Sequence, residues 1–393
     1  MKTLLMASAL LLSSTFVFAK CALPLEGNAQ YEIPEAQQDR TVPSNDNTRI
    51  QVAILLDTSN SMDGLIDQAK SRLWNIINTL TTLKYKGKTP VIEIALYEYG
   101  NDGLSVGSDY IRKVTPLTTD LDLISEKLFA LQTNGGNEYC GAVIAQAVRQ
   151  LEWRNSGGSD MKLIYIAGNE PFDQGSISYK ESIRDARAKD IFINTIFCGS
   201  KGEGTQTFWK DGADRGLGKY FNIDSDRKVR FIETPYDARI EACNERMNKT
   251  YISYGAKGAS KRQSQVEQDM NAKSISKANY AERAVSKSQS AYKNESWDLV
   301  DKVKEDRYAL DKMKKDDLPE ELKDKNSTEI KAIVTEKTKE RAAIQKEIET
   351  LAKQRQAYID EENKKAKTED DLGAAINNSI LDIAKMKGYV TAR

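Results

Sequence analysis

The chain has 393 residues, and its 58 lysines and arginines balance 58 aspartates and glutamates, so no basic field concentrates nucleic acid on it. It contains no histidine, which excludes Ser-His and Cys-His nucleophile pairs, histidine general bases and the common histidine-bearing zinc sites. At this length two structural units are expected.

Lys2 precedes an apolar run from Leu4 to Leu12 and then Val17-Phe18-Ala19, the pattern of a secretory signal (residues 1–19) cleaved after Ala19. Ser13, Ser14 and Thr15 break the run, which falls short of the roughly 20 apolar residues needed to span a bilayer. No transmembrane segment is therefore expected in the mature form. Lys20 stands directly before Cys21 where a lipoprotein signal has a small residue, and Phe18 departs from that pattern too. The expected product is an exported, soluble protein, periplasmic or secreted, that starts with a linker over residues 20–47.

Ile50 to Leu56 is apolar apart from Gln51, as in a central parallel strand covered on both faces. It runs into Asp57, Ser59 and Ser61, a carboxylate and two hydroxyls at alternate positions of one loop. Such oxygen donors suit a hard cation, Mg²⁺ first, with Mn²⁺ or Ca²⁺ as alternatives. A polar strand-to-helix turn is the plain alternative. Leu65, Ile66, Ala69, Leu73, Ile76, Ile77 and Leu80 then recur at helical spacing. Val91–Tyr97 and Tyr110–Pro116 read as a strand pair around a Gly- and Asn-rich turn. A helix from Leu121 to Leu131 leads to the loop T-N-G-G-N-E-Y-C-G and a helix from Gly141 to Trp153. The strand Lys162–Ala167 runs into A-G-N-E-P-F. A helix over Tyr179–Lys189, strands Ile191–Phe197 and Lys219–Ile223 and a helix over Pro235–Met247 complete an alternating pattern. That pattern predicts an α/β fold with a doubly wound, mostly parallel sheet over residues 48–250. Gly216 to Lys219 lacks the spacing of a phosphate-binding loop.

Beyond Gly255 glycine and β-branched residues thin out and Lys, Glu, Ala, Gln and Ser dominate, a long-helix composition. Val285, Tyr292, Leu299, Val303, Leu310 and Met313 are spaced like a seam. Val334, Lys337, Arg341, Ile344, Ile348, Leu351, Arg355 and Tyr358 follow heptad steps. Pro319 fits the first turn of a new helix between them. Residues 251–368 are thus expected to form an α-helical hairpin or coiled coil whose arms reach on the order of 70 Å. Tyr280, Tyr292, Trp297 and Tyr358 read as packing anchors. The same seam could instead build a homo-oligomer. In the tail, residues 369–393, only Leu372–Met386 is amphipathic.

Four cysteines, Cys21, Cys140, Cys198 and Cys243, follow the signal, an even number in an oxidising compartment, so disulfides are expected. Three connectivities are open. The sheet reading favours Cys140 with Cys198, both at the ligand-binding edge, leaving Cys21 with Cys243. A bridge from Cys140 to Cys198 would contribute roughly 4 kcal/mol by closing a long loop. Four cysteine ligands for zinc are the alternative, although the spacing is far from paired knuckles.

D-x-S-x-S at the end of the first strand resembles the signature of the von Willebrand factor type A family, a likeness that covers about residues 48–250. The resemblance implies a divalent cation at that loop, completed by a threonine from a second loop and an aspartate from a third, with an open position for a partner protein's carboxylate. Here the second-loop position falls to Asn137, Glu138 or the upstream Thr133. Gly168 stands where the aspartate belongs, with Asn169 or Glu170 as nearby oxygen sources. The motifs N-K-T-Y-I-S-Y-G, Q-D-M-N-A and S-W-D-L-V-D resemble exported bacterial proteins that join such a domain to a helical tail. The expected function is non-enzymatic: adhesion or scaffolding through a partner that presents an acidic residue. The alternatives are a structural envelope protein assembled through its helices, and a hydrolase using Asp57 with Glu138 or Glu170, for which no nucleophile and base pair is visible.

Overall fold

The computed structural model describes residues 48–155, 158–224, 229–366 and 372–391. The secretory signal, the linker and Cys21 lie outside these residues.

Nine apolar-rich residues make β1 (Arg49–Asp57), followed by α1 (Asp63–Thr81), the short β2 (Leu83–Tyr85), β3 (Val91–Tyr99) and β4 (Ile111–Thr118). Next come α2 (Leu121–Phe129), α3 (Cys140–Gln150), β5 (Met161–Gly168), α4 (Tyr179–Ala188) and β6 (Ile191–Cys198). Two short helices, α5 (Lys201–Gln206) and α6 (Trp209–Arg215), lead to β7 (Leu217–Ile223). The main sheet has the order β4-β3-β1-β5-β6-β7, parallel throughout except for β4, which pairs antiparallel with β3. This is the expected doubly wound sheet. Successive connections from β1 go first to β3 on one side and later to β5 on the other, so the loops after β1 and β5 flank a topological switch point.

Because β1 is covered on both faces, alternate residues feed two cores. Val52 and Leu56 join Leu65, Trp74, Ile124 and Ile380 on one face. Ala53 and Leu55 join Val143, Ile144, Ile183 and Trp209 on the other. The first face encloses an apolar cavity of about 50 Å³, lined by aliphatic side chains from the sheet, α1, α2 and Ile376, with Tyr165 at its edge.

A helical region follows the sheet, as the composition implies, in the order α7 (Asp237–Asn248), α8 (Gly258–Ile275), α9 (Lys277–Ser288), α10 (Leu299–Glu305), α11 (Ala309–Lys312), α12 (Glu320–Lys323) and α13 (Ser327–Ala366). The first arm of the anticipated hairpin is not continuous. Ser276 accepts a hydrogen bond from the Asn279 amide at 2.9 Å, and Asp298 accepts one from the Asp301 amide at 3.0 Å, so polar caps start new helices where the seam pattern ran on. Pro319 precedes only the four-residue α12. The 40-residue α13 is the one long arm, about 60 Å by its rise. It starts with a reciprocal cap: Asn326 Oδ1 accepts from the Glu329 amide at 3.0 Å, and the Glu329 carboxylate accepts from the Asn326 amide at 2.8 Å.

The seam of α13 is buried within the chain at Val334, Arg341, Ile344, Ile348, Leu351 and Arg355. Its arginines meet acids of the facing helices. Arg341 Nη1 donates to Asp298 at 2.7 Å and to Asp301 at 2.9 Å, and Arg355 Nε donates to Asp237 at 2.8 Å.

The amphipathic tail piece is α14 (Leu372–Met386), which packs on α1 and β7 and is followed by β8 (Tyr389–Thr391), paired antiparallel with β2. It covers polar groups on the sheet face: Ser379 Oγ lies 3.0 Å from Tyr165 Oη and donates to Asn194 Oδ1 at 2.7 Å. The sheet thus takes a covering helix from a segment some 150 residues downstream of its last strand. Ile380→Ala, at a position with no exposed surface, should cost about 2–5 kcal/mol in urea unfolding because the cavity left behind cannot collapse.

Candidate metal centre

Loop 1, residues 57–62, leaves the central strand. Asp57 Oδ1 accepts from the Ser59 amide at 2.8 Å, which closes a tight turn, and the Thr58 amide donates to the Tyr99 carbonyl at 2.9 Å. Asp57 is 0% exposed, and its Oδ2 has no hydrogen-bond partner among the described residues. Ser59 Oγ and Ser61 Oγ lie 3.3 Å apart.

Two glycines make room for this carboxylate. Gly100 has φ +77°, and a Cβ there would stand 2.9 Å from Asp57 Oδ1 and 2.7 Å from Glu138 Cγ. A Cβ on Gly168 would stand 2.6 Å from Tyr99 Oη and 3.0 Å from Asp57 Oδ2. Tyr99 Oη donates to the Ala167 carbonyl at 2.9 Å and so occupies the space that a side chain at residue 168 would need. Neither Tyr99 nor Gly100 stood out in the sequence; the one signal was a glycine directly after a strand.

Loop 2, residues 130–139, is laid against loop 1. The Asn134 amide donates to the Thr58 carbonyl at 2.9 Å, and Asn101 Nδ2 donates to the Gln132 carbonyl at 3.0 Å. A Cβ on Gly136 would stand 2.4 Å from the Gly100 carbonyl oxygen, so only glycine permits this approach. Of the three second-loop candidates the fold brings Glu138 to Asp57. Glu138 is 6% exposed and its amide donates to Gln174 Oε1 at 3.0 Å. Thr133 instead donates to the Asp63 carboxylate at the start of α1, and Asn137 is exposed.

Loop 3, residues 169–178, brings Asn169 to the serines: its Nδ2 donates to Ser61 Oγ at 3.1 Å, while its Oδ1 is buried and has no partner among the described residues. Glu170 is held by its backbone carbonyl, which accepts from Trp209 Nε1 at 2.7 Å. Its side chain acts on the site through charge. Burial, then the charges of Glu138 and Glu170, push the Asp57 carboxyl up to about 8. Burial and the charge of Glu170 push Glu138 up to about 7. Like charges in a site screened from water favour a proton or a cation.

The residues present fit a hard divalent cation: Asp57 Oδ2 and Asn169 Oδ1 are buried oxygens without partners among the described residues, the Ser61 hydroxyl lies 3.1 Å from Asn169 Nδ2 and 3.3 Å from Ser59 Oγ, and the Glu138 charge acts on Asp57. Among the described residues no group of three or more Asp, Glu or Cys side chains converges as a metal cluster, so hydroxyl and amide oxygens are required.

Residues 51–226 match the family model of the von Willebrand factor type A domain. The chain carries a von Willebrand factor type A domain. Solved structures similar to it include a von Willebrand factor type A protein from Catenulispora acidiphila, 19% identical with TM-score 0.34, over 45% of this chain and 39% of that one. The chain therefore spans about two fifths of that protein's length. The SpRpn10 VWA domain is 17% identical with TM-score 0.32, over 46% of this chain and 90% of that one. The pilus adhesin SpaC from Lactobacillus rhamnosus GG, in an open conformation, is 12% identical with TM-score 0.34, over 46% of this chain and 28% of that one. No curated protein matches the chain.

The expected bridge from Cys140 to Cys198 is not formed: among the described residues Cys140, Cys198 and Cys243 make no disulfide with one another. The expected pairing of Cys243 with Cys21 lies outside the described residues. Cys140 and Cys198 share the sheet edge, but Cys198 points into the core with Ile196 while Cys140 belongs to the core with Phe197, so the sheet lies between them. Burial pushes both thiols well above their usual range.

Between about pH 4 and pH 8 the cation-free fold retains a proton at Asp57 that the unfolded chain, with its ordinary value of 3.8, has released. Stability should therefore fall as pH rises through that window. The melting temperature of chelator-treated protein should drop on the order of 5 °C from pH 5 to pH 8, and Asp57→Asn should flatten the slope.

Proposed function

We propose that this protein is an exported, non-enzymatic binding module whose type A domain engages a partner protein at the rim formed by loops 1, 2 and 3. Type A domains are protein-interaction modules, and the observation that carries the finer reading is Asp57. A buried carboxylate with one oxygen unpartnered among the described residues, under the negative charge of Glu138 and in the same loop as two serine hydroxyls, is costly unless something positive completes it. Asp57, Ser59, Ser61, Glu138 and Asn169 would hold the ion, with Glu170 adding charge; Mg²⁺ is the first choice and Mn²⁺ or Ca²⁺ the alternatives. When bound, the ion supplies a positive centre for an acidic residue of the partner. The chain's own part is to keep that centre rigid through Gly100, Gly168 and the loop-to-loop hydrogen bonds, while surrounding side chains supply most of the affinity.

Export rests on the pattern of residues 1–19, and no helix among the described residues is long and apolar enough to cross a membrane. In this reading residues 48–250 bind, the helical region after them supports them, and Leu372–Met386 closes the sheet face. The rival, an envelope protein assembled through its helices, draws less support, because Val334, Arg341, Ile344, Ile348, Leu351 and Arg355 of the α13 seam are buried within the chain, while Lys337 and Tyr358 are half-buried.

Calorimetry with Mg²⁺ and with Mn²⁺ tests the proposal. The mature protein should give a binding heat that Asp57→Ala with Ser59→Ala loses; equal heats, or none in either protein, would end the metal claim.

A further inference from the structure

Among the described residues the helical region reaches the cation loops through the two helices that carry them. Helix α1 continues directly from loop 1, and α2 ends at Phe129, immediately before loop 2. Helix α9 packs on α1 and on α8, α8 packs on α2, and a side chain of α9 reaches across to α2. That side chain, Arg283, has no exposed surface, and the guanidinium carbon lies 4.6 Å from the centre of the Trp74 ring on α1. Nη1 of the same group donates to Asp122 of α2 at 2.8 Å. The remaining nitrogens are tied to α8, Nε donating to Asp269 at 2.5 Å and Nη2 to the Gln265 carbonyl at 3.0 Å. Tyr292 Oη donates to the second Asp122 oxygen at 2.5 Å, and Lys287 Nζ donates to Asp269 at 2.9 Å.

Three further bonds fasten α9 to α1. Asn279 Nδ2 donates to the Ser71 carbonyl at 2.8 Å, Ser286 Oγ donates to Asn78 Oδ1 at 2.7 Å, and Asn78 Nδ2 donates to the Glu282 carbonyl at 3.0 Å. A planar fork that faces a different helix on each side cannot follow one of them without breaking its bonds to the others.

We infer that Arg283 is a positioning residue for loops 1 and 2, locking α1 to α2 from the helical half of the chain and so setting the separation of Ser59 and Ser61 from Glu138. Its link to cation affinity rests on the metal reading above; its effect on the loops does not. Arg341 serves as the internal control, because this equally buried arginine bonds Thr250, Asp298 and Asp301, none of which lies on α1 or α2.

The test uses full-length mature protein carrying Arg283→Lys, the milder Asp122→Asn, or Arg341→Lys, with two readouts: hydrogen exchange at residues 58–63 and 130–139 without cation, and Mn²⁺ affinity. Both α1–α2 variants should raise loop exchange and weaken Mn²⁺ binding by about tenfold each, as outer-shell changes do, while Arg341→Lys leaves both at the parent level. If Arg283→Lys does not fold, Asp122→Asn alone decides. Loop exchange that stays at the parent value, or rises equally in Arg341→Lys, overturns the inference. A parent that binds no Mn²⁺ but shows the loop pattern removes the cation reading and leaves the positioning role standing.

Discussion

The structure turns on a carboxylate placed at the end of the central strand with no access to water. Asp57 could escape the cost of burial by pairing with a lysine or arginine, but the charges that act on it most are those of Glu138 and Glu170. Its neighbours are chosen for closeness: Gly100 and Gly168 let backbone and Tyr99 approach, and Gly136 lets loop 2 lie on loop 1. The position at residue 168, which the family resemblance assigns to an aspartate, is filled by the Tyr99 hydroxyl, and Glu138 brings a carboxylate from the opposite loop.

A second set of buried charges orders the helical region and, through Arg283, ties it to α2. Arg283, Arg341 and Arg355 are each 5% exposed or less, and each meets aspartates from helices distant in sequence. Such pairs contribute little net stability compared with apolar packing, because desolvation offsets most of their attraction. They do penalise any other arrangement, since a shift of one helix turn would leave an arginine or an aspartate unpaired away from water. The apparent imperfections in the α13 seam, polar residues at core positions, thus define its register against α7, α9 and α10.

Parts of the site were readable along the chain because they are local. Alternation along β1 places Asp57, Ser59 and Ser61 in one loop whatever the rest of the protein does, and the paired glycines at 135 and 136 announce a close approach. Other parts depend on distant neighbours. Whether Thr133, Asn137 or Glu138 faces Asp57 is decided by the path of loop 2 against Gly100, more than thirty residues away. The cysteines make the same point: their shared edge followed from the strand pattern, but a bridge requires a shared face, and Cys198 and Cys140 lie on opposite faces. The first helical arm looked continuous because its apolar spacing persists through Ser276 and Asp298, whose side chains favour capping over continuing a helix.

By itself the sequence determined the alternating strands and helices, the doubly wound parallel sheet, the helical composition after Gly255, the amphipathic stretch at Leu372–Met386 and the oxygen-rich loop after β1. These follow from periodicity and local propensity, which neighbouring residues settle among themselves. Only the tertiary structure decided that α14 closes the sheet face over Tyr165 and Asn194, that β8 pairs with β2, that Glu138 stands beside Asp57, and that Arg283 joins α1 to α2. Each of these is a contact between segments far apart along the chain, selected by shape and by the need to satisfy buried polar groups, and no local pattern records which partner will be there.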